Sequence, residues 1–236
     1  MGCPNVCNDY MHCFSFSTDM PRKKTNTPPP PDPVPEKAGY HHGDLRRTLL
    51  DAALRYIDAH GLAALSMREL ARQAGVSPAA PFRHFATRTA LLTALAEEGM
   101  DGLVAAVDAE VAAAAHDGPL QQFRAVGAGF LRWSLAHPTH LLVISSRAFI
   151  DFEGSTLRRR NDRIREAMDG FMRDAARQGL LRPGDVDRYL IGGRALVYGI
   201  ARMYLDGQFP SWDLDANAPL AEAMAILDQY IAAIGA

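Results

Sequence analysis

Residues Ser66–Phe85 read Ser-Met-Arg-Glu-Leu-Ala-Arg-Gln-Ala-Gly-Val-Ser-Pro-Ala-Ala-Pro-Phe-Arg-His-Phe. Ser66 is a good helix N-cap, and Glu69 three residues later completes the capping-box pattern. Met67, Leu70, Ala71 and Ala74 recur at helical spacing and make one buried face. Gly75 supplies the left-handed conformation that ends a helix at little cost. Ser77-Pro78 restarts a helix, with serine as cap and proline at the first helical position, where its missing N–H costs nothing. Ala71 is small at the point where the two helices must cross. A short helix, a tight turn and a second short helix form the layout of a DNA-binding helix-turn-helix. The same layout also serves as an ordinary helical hairpin inside an all-α core.

Upstream, Leu45, Leu49, Ala53, Tyr56 and Ile57 form the apolar stripe of a helix, with Asp44 as cap and Gly61 as stop. Leu62 and Leu65 pack the connection back onto that stripe. Downstream, Thr87 caps a longer helix marked by Ala90, Leu91, Leu95 and Val104, which runs toward His116 and is broken by Asp117-Gly118-Pro119. Leu120–Ala136 is amphipathic through Phe123, Val126, Phe130 and Trp133, and His137-Pro138 ends it. Leu141–Phe152 is hydrophobic with Arg147 and Asp151 as its only charges, and its helical neighbourhood favours a buried helix over a strand. Ser155–Gln178 is long and charged and stops at Gly179. Asp185–Asp206 is poor in charge through its middle, where Arg194 stands alone between Tyr189 and Ala201, and Asn217 with Pro219 opens a last helix. No segment alternates as a strand of any length. The fold class is all-α, with roughly ten helices, which suggests a small N-terminal reader domain carrying the helix-turn-helix on a larger C-terminal all-α body.

The net charge of -2 is unevenly spread. Between residues 44 and 90, seven arginines (46, 47, 55, 68, 72, 83, 88) face four acids. Residues 91–236 carry fourteen bases and nineteen acids. The basic segment therefore coincides with the candidate reader, as phosphate binding requires. Residues 1–39 differ in composition. They hold all three lysines and all three cysteines, and Thr27–Pro35 is mostly proline, which cannot propagate a helix. This extension reads as disordered, and Met20 followed by Pro-Arg-Lys-Lys resembles an alternative start leaving a basic arm. Cys3, Cys7, Cys13 and His12 match no compact zinc spacing. His116, His137 and His140 have no carboxylate or cysteine partner at ligand spacing, so no metal and no cofactor is expected. No apolar run approaches the ~18 residues of a membrane span, and no signal peptide is evident. A cytoplasmic protein without a membrane partner is expected. A Gly-rich phosphate loop, a Ser/His/Asp elbow and paired pocket carboxylates are all missing, which argues against an enzyme.

The segment Gly43 to about Ala96 resembles the tetracycline-repressor (TetR) family of bacterial transcriptional regulators. The resemblance is carried by Arg68, Ala71, Ala74-Gly75-Val76-Ser77, Phe82, His84-Phe85, Arg88 and Leu91-Leu92. Arg194–Ala201 followed by Leu205-Asp206-Gly207, together with Tyr40–Arg46, is similar to a subgroup with a WHG-type C-terminal domain. The resemblance implies three parts: the extension 1–39, a DNA-binding domain over 40–100 with its motif at 66–85, and an effector-binding and dimerisation domain over 101–236. It also implies a homodimer on a palindromic double-stranded operator, usually repressing, and released by an unknown small-molecule effector. Dimer contacts are expected from about 185–206 and 218–234, where low charge and Gly192, Gly193 and Ala195 allow close helix approach.

By position, DNA contacts are expected from Arg46, Ser66, Arg68, Ser77, Pro78, Ala79, Phe82, Arg83, His84 and Arg88. Arg83 alone on the groove face can reach guanine bidentately. Phe82 stands where the family usually has tyrosine, so a phosphate bond is lost and the burden passes to His84, Arg88 and Arg46. Pro81 replaces the usual branched aliphatic. It cannot donate to the Ser77 carbonyl and disfavours helix at Ala80, so the recognition helix is expected to start late or to kink. A ligand pocket is expected from Phe130, Trp133, Phe149, Tyr189, Tyr198 and Met203, with Arg147 or Arg202 as polar anchor.

Overall fold

The computed structural model describes residues 45–236. The expectations placed on residues 1–44, including the Asp44 cap and the cysteine cluster, lie outside them.

The stripe read from sequence seats the first helix, α1 (Leu45–His60), with Leu49, Leu50, Ala53 and Ile57 buried. Gly61 ends it at φ 82°, and the 3-10 turn Leu62–Ala64 leads into α2 (Met67–Gln73). Ser66 caps α2 by accepting from the Glu69 N–H at 3.2 Å. Glu69 itself pairs with Arg72 along the helix, at 2.5 Å. Thr87 caps α3 (Arg88–Ala113) through the Ala90 N–H at 3.0 Å.

Gly118 and Pro119 turn the chain into α4 (Pro119–Ala136), the centre of the remaining helices. Phe123, Val126, Phe130, Leu131 and Trp133 of α4 are all buried. Helix α4 lies tight on α3 because Gly129 has no side chain: a Cβ there would stand 2.7 Å from Val107 Cα and 2.9 Å from the Ala106 carbonyl. α6 (Leu157–Arg177), α7 (Val186–Leu205) and α8 (Pro219–Ile234) pack around α4. Asp185 caps α7 by accepting from Asp187 N–H and Arg188 N–H. Among the described residues there are eight α-helices and four 3-10 helices. The only β pairing among them is one antiparallel bridge, Leu181 to Gly235.

One expected helix is shorter than read. Leu141–Phe152 was expected as a single helix, but α5 (Pro138–Ser145) stops where the Ser146 hydroxyl folds back onto the Leu142 carbonyl at 2.7 Å. A 3-10 turn, Arg147–Phe149, and an extended Ile150 follow. The chain must bend there to wrap the start of α3, where Asp151 N–H donates to Thr93 Oγ1 at 2.9 Å.

Candidate nucleic-acid interface and internal cavity

Helix α2 ends in a Schellman cap. Gly75, at φ 65°, donates to the Arg72 carbonyl at 3.2 Å, and Val76 donates to the Ala71 carbonyl at 3.0 Å. The segment after it is not an α-helix, although one was expected from Ser77. Ala80 N–H takes the Ser77 carbonyl at 2.9 Å. The next donor should come from position 81, and proline has none. The chain tightens instead into the 3-10 turn Pro81–Arg83. Arg83 N–H donates to Ala80 at 3.2 Å and His84 N–H to Pro81 at 3.0 Å. Pro81 and Phe85 are buried beneath this turn, while Ser77, Pro78, Ala79, Arg83 and His84 are exposed. Phe82 stands out at 53% exposure.

The seven arginines divide by what they touch. Arg47 bonds Asp51 and reaches Glu98 at 2.7 Å, and Arg72 pairs with Glu69. Arg88 turns inward. Its Nη2 donates to the Leu62 carbonyl at 2.6 Å, and its guanidinium carbon lies 4.9 Å from the centre of the Phe149 ring. Arg88 was expected at phosphate; here one of its donors serves the protein interior, and its Nε is buried without a hydrogen bond. Arg46, Arg55, Arg68 and Arg83 are exposed, and their side chains make no hydrogen bond or ion pair among the described residues. Arg46 is braced from α1 over the ring of Phe85, 5.3 Å from its centre. Ser66, at the start of α2, is exposed as well.

A cavity of about 430 Å³ opens among α3, α4, α6, α7 and the bend after α5. Phe130, Arg147 and Tyr198 line it, as expected. The other five pocket candidates lie elsewhere. Trp133 packs against Gly102 of α3 and beside His137, with ring centres 5.3 Å apart. Phe149 carries Arg88. Tyr189 sits at the start of α7, its hydroxyl near the Pro183 carbonyl and its own carbonyl accepting from Tyr230 at 2.5 Å. Arg202 pairs with Asp206 at 2.8 Å, and Met203 does not line the cavity. The residues that sequence reading missed include Phe123, Phe152, Met168 and, above all, Arg194.

Residues 49–95 match the bacterial regulatory proteins of the tetR family. Residues 123–227 match a tetracyclin repressor-like C-terminal domain, a description that does not name the WHG type. Over 49 residues the chain is 49% identical to the HTH-type transcriptional regulator BetI of Rhizobium meliloti (strain 1021). That match spans 21% of this chain and 24% of BetI, so the likeness covers only a small part of either protein. A solved protein of unknown function from Rhodococcus sp. RHA1 is 31% identical, with a TM-score of 0.66 over 85% of this chain and 100% of that one. The chain belongs to the TetR family of bacterial transcriptional regulators. The TetR regulator PfmR of Thermus thermophilus shares the fold at 19% identity and a TM-score of 0.64, over 78% of this chain and 97% of that one. TetR-family proteins bind DNA and regulate transcription, and no enzyme is implied. No helix among the described residues is long and apolar enough to cross a membrane.

In this TetR-family regulator the reader is tied to the helices behind it by side chains as well as by α3. Thr139 of α5 donates to Asp58 of α1 at 3.0 Å, and Arg47 of α1 holds Glu98 of α3. The bend between α5 and α6 has two faces. Arg147 and Phe152 line the cavity, while Phe149 and Asp151 touch the first turns of α3.

No group of three metal-ligating side chains occurs among the described residues. His140 is instead a pH-sensitive packing residue. Burial holds its imidazole below the usual 6.5, partly offset by Glu98, and its Nε2 is buried without a hydrogen bond. The unfolded chain then binds the proton more readily. The stabilisation is complete above about 6.5 and is lost as pH falls through the lower folded value. Asp51, held below 3.8 by the hydrogen bond from Arg47, titrates beneath this window. His140→Phe is therefore expected to flatten the fall in thermal midpoint between pH roughly 7 and 5. An unchanged slope would remove His140 from the account.

Proposed function

We propose that this regulator is a ligand-responsive repressor that binds a palindromic operator as a homodimer in the cytoplasm, with reader 40–100 and effector and dimerisation body 101–236 joined by the unbroken α3. The observation that carries this reading is the pairing of an exposed, cation-bearing recognition turn with a cavity that shares one chain segment, the α5–α6 bend, with the reader's supports. In this reading Ser77, Pro78, Ala79, Phe82 and Arg83 enter the major groove. Arg46, Ser66, Arg68 and His84 hold flanking phosphates, and the contacts fix register before bases are read. An effector that fits the cavity only in the non-operator geometry shifts the population off DNA.

The dimer is supported by an exposed face of low charge. Ile191, Ala195 and Tyr198 are exposed on α7, and Ala221, Ala225 and Ala232 on α8. Paired across a two-fold axis, these helices make a four-helix bundle. Ala225→Arg leaves the cavity lining untouched and places a charge on that face in both copies. It is expected to cost ~3 kcal/mol or more of dimer stability. Sedimentation should show monomers at micromolar concentration, with operator binding lost in parallel. Intact dimers in the variant would overturn this assignment of the interface.

Pro81→Leu tests the recognition turn. The new N–H meets the Ser77 carbonyl, so the 3-10 turn is expected to relax into α-helix and swing Phe82 and Arg83. Stability should change by less than ~1 kcal/mol, while base preference across an operator library shifts. An identical preference profile would contradict the groove assignment.

A further inference from the structure

The cavity is apolar in body and cationic at one side. Met100, Leu103, Phe123, Val126, Phe130 and Met168 supply apolar surface. Arg147, Arg165 and Arg194 also line it, and no Asp or Glu does. Arg165 has Asp162 at 3.8 Å. Among the described residues the side chains of Arg147 and Arg194 make no hydrogen bond or ion pair. Each lies over a ring instead. The Arg194 guanidinium carbon lies 5.5 Å from the centre of Phe130, and that of Arg147 lies 3.2 Å from the centre of Phe152. With no protein acceptor, the N–H groups of both guanidiniums are available, and such groups grip an anion bidentately. Arg147 is exposed and Arg194 half-buried, so the first marks the open side and the second the interior. Burial also holds the Arg194 guanidinium below the usual arginine range. Tyr198 offsets a part of this and Arg147 adds to it. A cation withdrawn from water without a counter-ion is costly, and an anionic ligand supplies the counter-ion.

We propose that the cavity takes an amphipathic anion: an extended apolar body among the α3, α4 and α6 side chains, and one small anionic head, carboxylate or phosphate, held between Arg194 and Arg147. The size agrees, since about 430 Å³ lies within the ~300–1,000 Å³ of small-molecule sites. Ser145, Asn161 and Tyr198 also line the cavity and add polar side chains for the head. A cationic ligand meets two like charges, and a neutral one leaves both guanidiniums unpaired. The inference rests on the effector reading above, and it narrows that reading to one ligand class.

The test is calorimetric titration of the full chain with four probes sharing one alkyl chain: dodecanoate, dodecyl phosphate, dodecanol and dodecyltrimethylammonium. One or both anions are expected to bind at least about ten-fold more tightly than the alcohol, with the ammonium weakest; the tighter anion assigns the head. Arg194→Met is expected to weaken the preferred anion about 30-fold or more while leaving dodecanol unchanged. The same variant should keep or raise the ligand-free melting temperature, because it removes an unpaired buried cation. If dodecanol or the ammonium binds as well as the anions, the ligand class is wrong and the effector cavity stands. If no probe binds, both fall. A lowered melting temperature with anion preference intact would make Arg194 structural and overturn the proposal.

Discussion

Arg88→Met is expected to lower thermal stability without changing how DNA binding responds to salt. Arg88 spends a charge-assisted bond on the Leu62 carbonyl at 2.6 Å and its flat face on Phe149 at 4.9 Å. Methionine keeps the apolar stem, leaves that carbonyl without its donor, and loses the cation over the ring. A hydrogen bond to a charged group contributes ~1.5–3 kcal/mol, and a partly shielded cation–π contact about 1 kcal/mol more. A net loss of about 2–3 kcal/mol lowers the melting midpoint by roughly 5–10 °C in a chain of this size. If Arg88 instead gripped a phosphate, its removal would reduce the slope of log affinity against log salt by about one per site and leave the midpoint nearly unchanged. Calorimetric melting and a salt series on the same variant separate the two. Because Phe149 belongs to the bend that carries Arg147 and Phe152 into the cavity, the variant should also respond less to any ligand that releases the operator.

Arg83→Ala is the second large effect, and it falls on recognition. Arg83 is exposed, makes no hydrogen bond or ion pair through its side chain among the described residues, and closes the 3-10 turn through its own N–H to Ala80. Buried Pro81 and Phe85 hold that turn in place. Of the residues proposed for the groove face, it alone has the fork of donors that meets guanine O6 and N7 together. Its loss is expected to cost ~1–3 kcal/mol of operator affinity and to relax preference at one base pair in each half-site. Stability should hold. Arg68→Ala, by comparison, should weaken all sequences alike and reduce the salt slope by about one per site. A uniform loss from Arg83→Ala would reassign it to the backbone.

Local physics made much of this fold readable. The Ser66 and Thr87 caps, the Gly75 and Gly179 stops and the Gly118-Pro119 break each depend on neighbours within a few residues, and each appears where its pattern stands. Pro81 was legible for the same reason: one missing N–H removes one named bond. Arg88 was not. Its direction depends on Phe149, a residue far along the chain whose approach is decided by the bend after α5. The end of α5 was likewise set by tertiary need, since the bend must bring Asp151 to Thr93.

The cavity was half legible. Phe123, Val126, Gly127 and Phe130 share one helical stripe and line the cavity, while Trp133, on the same stripe, packs against Gly102 of α3. On α7 the available signal was charge pairing. Arg202 has Asp206 four residues on and closes that pair. Arg194 has only Leu190, Ile191, Val197 and Tyr198 at helical neighbour spacing. An arginine in an apolar stretch with no local acid needs a partner from outside the helix, and that rule separates the two arginines.

The most direct test of the central claim is a mobility-shift titration of the full chain on the DNA upstream of its own gene, repeated over a salt series. With Arg46 and Arg68 from each of two subunits on phosphates, log affinity should fall with log salt at a slope of about −4, and unrelated DNA should bind far more weakly at every salt. A flat salt response, or equal affinity for both DNAs, would contradict the account.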